Sequence, residues 1–340
     1  NAFKNININI DYSTTNWLFD NAEDTSSMFE DFKSFEIKLP NATFAKVKNA
    51  NSMFKNIKSL TTFDVNQATF AAAEDVSSMF EDVYYGDTLK MNSATFLAAK
   101  NASNMFKNSE IHSISFTSNV FKNLDNAESM FENAKSDNVA FSNTTFQNVK
   151  NTQNMFKSVE INTVSLPSAT FDSVVNANAM FMESKISTLH ISQATFANAE
   201  DISSMFENTP AELVDINLQS ATFAHAKNAH RMFYWGRANA VFNELEDASS
   251  MFEGQDYITE IKLPKATFDK TRNFNRTFFN VYKATIISLP KITFRAAEDL
   301  TSMFHDCGYM TTLNLNPSKM IASHVVTMES MFKGASSITE

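Results

Sequence analysis

The chain has 340 residues, 28 of them basic and 38 acidic, for a formal net charge of −10. A hydrophobic fraction of 43% against 19% charged residues excludes a disordered chain, and the acidic balance excludes the basic face that nucleic-acid binding needs. The single cysteine, Cys307, rules out an internal disulfide framework, and no apolar run approaches the roughly 18 residues of a membrane-spanning helix.

From the N-terminus, Ala2-Phe3-Lys4-Asn5 returns as Met53-Phe54-Lys55-Asn56. The Met-Phe pair, or a close variant, then recurs from Phe29 through Phe80, Phe106 and Phe131 to Phe332, in steps of 25 to 28 residues with one step of 19. A second aromatic stands ten residues ahead of most pairs, as at Phe44, Phe70 and Phe96. Seven and five residues before that lie alternating apolar pairs such as Ile37/Leu39, Phe63/Val65 and Ile114/Phe116. Period-two alternation predicts one short strand per repeat with these side chains inward. Apolar steps of about three from Phe44 through Val47 and Ala50 to Met53 predict a 3₁₀ or short helical turn.

A unit of this length cannot bury its own apolar face, but stacked units can. The expectation is a repeat solenoid, leucine-rich-repeat-like, with one parallel strand and one short helical turn in each of roughly 13 coils, forming a single array over residues 1–340. Phe44, Phe70 and Phe96 then form one internal ladder and Phe54, Phe80 and Phe106 another. They are core residues, not a cofactor box. The array starts in mid-repeat at Asn1 and ends at Glu340 where another Ile-x-Leu-Pro strand would follow, so it reads as cut in mid-repeat at both ends.

Three columns have a different character. Asp24, Asn49, Asp75, Asn101 and Asn126 stand five residues before successive Met-Phe phenylalanines. Short amides and carboxylates there suit backbone capping at turns rather than metal binding. Directly after the Met-Phe pair come Glu30, Lys55, Glu81, Lys107, Glu132 and Lys157. Glu23, Lys48, Glu74, Lys100, Asp125 and Lys150 alternate in phase with them. Stacking sets acid beside base, a charge ladder whose exposed pairs contribute only about 0.2–1 kcal/mol each. Its larger effect is on register, because a slip of one coil brings like charges together.

The 19-residue step makes one irregular short coil, 233–252. Around its start stand Arg231, Tyr234, Trp235 and Arg237, residue types enriched at binding hot spots. They are the candidate partner-binding residues. The other reading is an eroded coil in which Trp235 fills a shortened core. Chemistry-bearing patterns are sparse. Five scattered glycines supply no phosphate loop, the six histidines have no metal-ligand spacing, and Cys307 has only His305 near it in sequence. No enzyme, cofactor or metal is expected.

The segment Leu60-Thr61-Thr62-Phe63-Asp64-Val65 through Val76-Ser77-Ser78-Met79-Phe80 resembles the repeat of BspA-like leucine-rich-repeat surface proteins. Ile37-Lys38-Leu39-Pro40 and Ile261-Lys262-Leu263-Pro264 match that family's strand, while the Ala-Thr-Phe element at Phe44 departs from its usual aromatic. The resemblance implies an extracellular or cell-surface protein that adheres to a protein or cell-surface ligand. The alternative, which the two ends suggest, is a structural subunit of a filament, sheath or fibre whose copies stack end to end.

Overall fold

Alternating apolar residues form short parallel strands in a computed structural model that describes all residues except 1, 3, 6–9, 12–18, 34, 40–41, 59, 66–67, 91–95, 118–120, 143, 145, 192, 210–221, 233–241, 256–257, 316–320 and 340. The chain divides into two units. One comprises residues 1–172, 183–193 and 212–217; the other comprises 173–182, 194–211 and 218–340.

The first unit holds a sheet of β1 (Ile10–Asp11), β2 (Glu36–Lys38) and β3 (Thr62–Asp64). It also holds a five-stranded sheet of β4 (Tyr84–Lys90), β5 (Glu110–Thr117), β6 (Lys135–Ser142), β7 (Glu160–Ser165) and β8 (Lys185–His190). The second unit has β9 (Glu260–Lys262), β10 (Ile286–Leu289) and β11 (Thr312–Leu315). All these strands pair in parallel with the equivalent strand one coil away, so Ile114, Val139, Val164 and Leu189 share one row. That register buries each of the four.

Each unit is thus a stretch of parallel β-solenoid. The described residues support about ten turns, not the thirteen coils expected. The helical turn is also corrected, for there is no helix among the described residues. Around Met79-Phe80, the amides of Ser78, Phe80 and Asp82 donate to the carbonyls of Ser103, Met105 and Lys107 one coil on, at 2.8, 2.8 and 2.9 Å. Met79 and Glu81 donate back three residues, to Val76 and Ser78, at 3.3 and 3.2 Å. A helix needs one dihedral pair throughout and directs its amides along its own axis. Here Ser78 (φ 53°) and Asp82 (φ 57°) reverse the backbone every four residues, so alternate amides point to the next coil. Ser, Asn and Asp recur at these positions because their short polar side chains tolerate the left-handed region.

The core is two aromatic stacks plus the inward strand residues. In the first unit Phe80, Phe106, Phe131 and Phe156 lie face to face at successive centroid distances of 5.1 Å. The second stack runs through Phe44, Phe70 and Phe96, at 4.7 and 5.8 Å. In the second unit Phe252, Phe278 and Phe304 repeat the pattern at 5.1 and 5.3 Å. Each fully buried ring contributes about 2–3 kcal/mol. That outweighs a local backbone cost, since Phe146 and Phe171 take φ values of 49° and 51°, a conformation that costs about 1–2 kcal/mol.

The Asn/Asp column caps the turn that precedes Met-Phe. The Asn126 Oδ1 accepts the Glu128 amide at 3.0 Å, and its Nδ2 donates to Asn101 Oδ1 at 3.3 Å. Asp75 and Asn151 accept the amides of Ser77 and Gln153 in the same way, at 2.9 and 3.0 Å. One short side chain therefore satisfies a donor in its own coil and links to its neighbour.

Candidate functional site

Coil-to-coil stacking brings charges 25 to 27 residues apart in sequence into contact. In the row after Met-Phe, Lys4 reaches Glu30 at 2.8 Å, Lys55 reaches Glu81 at 2.8 Å and Lys107 reaches Glu132 at 2.9 Å. Burial disfavours the charged Glu132 carboxylate. Hydrogen bonds from Lys107 and Ser129, with the fields of Lys107 and Lys157, outweigh that and hold its pKa below the usual carboxylate value. Glu30 is lowered against the same burial by Lys4 and Ser27. In the second row Lys100 meets Glu74 at 2.7 Å and Lys150 meets Asp125 at 3.0 Å. In the second unit Lys227 meets Glu200 at 2.9 Å and Arg272 meets Glu298 at 3.4 Å.

A third charged row was not anticipated. β4–β8 begin four residues after the Met-Phe phenylalanine, upstream of the strands read from the sequence, which makes them six to eight residues long. Their first residues include Glu110, Lys135, Glu160 and Lys185, all exposed. Lys135 and Lys185 flank the Glu160 carboxylate at 3.4 and 2.9 Å. The signal was present as a third sign alternation, offset three residues from the one after Met-Phe.

Two residues into each strand lies a further outward row. Asp137 stands at its centre, with His112 Nδ1 3.2 Å from its Oδ2 and Asn162 Nδ2 donating to its Oδ1 at 3.2 Å. Ladder pairing skips this row, passing from Glu110↔Lys135 to Ser113↔Asn138. The two outward rows flank an open groove of about 850 Å³ across the sheet, with Ile111 and Ile161 beneath and Tyr84, Tyr85 and Gly86 at one end.

Of the residues singled out at the short coil, Arg231 bonds Glu207 through Nη1 at 2.9 Å. Tyr234, Trp235 and Arg237 lie outside the described residues. Downstream, Phe242 is buried and stacks between Phe223 and Phe268 at 6.2 and 5.6 Å, so the aromatic ladder runs through the shortened coil. Asn228 and Asp247 bridge across the same step.

Cys307 is buried, with Sγ 3.1 Å from the Phe278 carbonyl, and burial pushes its thiol pKa up to about 12. A thiol so desolvated is not a nucleophile near neutral pH. Among the described residues no three His, Cys, Asp or Glu side chains are placed to hold a metal ion. No helix among them is long and apolar enough to cross a membrane.

Fold and surface together define a repeat protein of the parallel β-solenoid class with charged lateral rows. The chain belongs to the family described as Mycoplasma protein of unknown function, DUF285, which matches residues 1–119, 94–168, 126–247 and 239–340. No curated protein and no solved structure matches it.

Proposed function

We propose that the chain is a non-enzymatic solenoid of the extracellular space or cell surface that adheres to a protein or cell partner through its side. The observation that carries this is the outer face of β4–β8. There, polar and charged side chains stand in register on five parallel strands whose inward residues are locked in the core. A partner meeting such a surface has little ordering entropy to overcome, and solenoids use extended faces of this kind for binding. The likeness to BspA-like leucine-rich-repeat surface proteins, in the strand and in Val76 through Phe80, supports the location. The test is saturable binding of the labelled chain to intact cells, before and after protease treatment of those cells. Binding that protease abolishes, and that Lys135→Glu with Lys185→Glu weakens, supports the reading; no saturable binding at any concentration sinks it.

A further inference from the structure

We infer that the groove across β4–β8 is a binding site for an extended, uncharged oligosaccharide. This rests on the lateral-binding reading and names a ligand class for one part of that face.

The groove crosses the strands, so its functional groups repeat once per strand, about 4.8 Å apart. An extended peptide advances about 3.3 Å per residue and falls out of step within a few strands. A pyranose ring in an extended β-linked chain advances by nearly one strand spacing, so the rings stay in step with the strands and alternate rings present the same face.

On one wall Glu110, Lys135, Glu160 and Lys185 sum to zero, and Glu160 is held between two lysines. A polyanion would have to displace those carboxylates, and a polycation those ammonium groups. Hydroxyl groups, by contrast, both donate and accept, and suit an acid–base alternation without displacing either.

On the other wall three planar polar groups, His112, Asp137 and Asn162, hold one another at 3.2 Å, with the Asp137 carboxylate at the centre. Fixed planar groups of this kind pair with adjacent hydroxyls at small entropic cost. At the groove's end Tyr84 is 39% exposed and offers an aromatic surface for the C–H face of a sugar. The Lys58 ammonium lies 5.2 Å from that ring and helps hold it in place.

Gly86 supplies a clean way to block the site. A Cβ built there meets nothing within 4 Å, so a large side chain enters the groove without disturbing the core.

The test is titration calorimetry of the whole chain with cellohexaose and chitohexaose, with a heparin hexasaccharide and an extended uncharged peptide as comparisons. The expected result is one-to-one binding of at least one uncharged hexasaccharide. The double variant Asp137→Ala, Asn162→Ala and, separately, Gly86→Phe should each weaken it about tenfold, with melting temperatures unchanged. Failure of both uncharged hexasaccharides to bind overturns the assignment. So does binding that survives both variants, or tighter binding of the heparin fragment or the peptide. The cell assay reads a protein partner and this one a glycan in the groove, so the two failures are told apart.

Discussion

Replacing Phe106 by Ala tests whether the aromatic stack holds the solenoid together. Its ring is wholly buried, lies 5.1 Å from both Phe80 and Phe131, and meets Phe116 edge-on at 5.9 Å. Truncating a buried Phe costs about 3–5 kcal/mol, lost ring contacts included. The cavity has little means of closing. Its neighbours are held at fixed spacing by backbone hydrogen bonds between coils, such as the Phe80 amide to the Met105 carbonyl at 2.8 Å and the Phe106 amide to the Met130 carbonyl at 2.7 Å. The expected loss is therefore at the upper end, about 5 kcal/mol. Phe35, in the same unit and 60% exposed, is the control, with an expected loss within about 0.5 kcal/mol. Urea unfolding followed by circular dichroism measures both. A lower midpoint with unchanged slope reports lost stability, whereas a shallower slope reports coils melting in separate blocks. A Phe106→Ala loss below about 1 kcal/mol, or one equal to that of Phe35→Ala, refutes the argument.

The left-handed turn predicts that Asn133 (φ 58°) tolerates Gly better than Ala. Ala should cost about 1 kcal/mol more by thermal melting, and the reverse order would contradict the turn assignment. The lowered pKa values of Glu30, Glu132 and Glu253 set a pH dependence. A folded pKa below the unfolded one gives stability that is complete above the ordinary carboxylate range and lost as pH falls through the lowered value. The melting temperature should hold from about pH 7 to 5 and drop toward about pH 3. Glu132→Gln should flatten that drop, and an unaltered profile would show that this carboxylate makes no contribution. Cys307, with its thiol near 12, should resist iodoacetamide at neutral pH until urea unfolds the chain. Rapid labelling of the folded protein would place it outside the core.

Phe44, Phe70 and Phe96 were legible as a ladder because a fixed period returns the same side chain to the same place in every coil. The Asn/Asp column was legible as capping for a similar reason, since short amides at a recurring position signal a recurring turn. The turn at Met79-Phe80 was not. Apolar steps of three suit a short helix as well as a turn that reverses every four residues, and only the positive φ at Ser78 and Asp82 separates them. The upstream halves of β5 to β8 were hidden too. Glu110-Ile111-His112 reads as loop, and its neighbours in the sheet lie 25 residues away.

By itself the sequence determined that the chain stacks in coils and which side chains enter the core, because inside and outside are settled locally by the period. It also determined that acid would lie beside base from coil to coil. Tertiary structure alone decided which acid each base takes: Lys107 turns to Glu132, and Glu81 is held by Lys55. It alone interrupted the β5–β6 ladder at His112 and Asp137 and set a groove between two polar rows. The physical reason is distance along the chain. A choice between the coil above and the coil below depends on rotamers and strand curvature set by residues about 25 positions away, which no local pattern encodes.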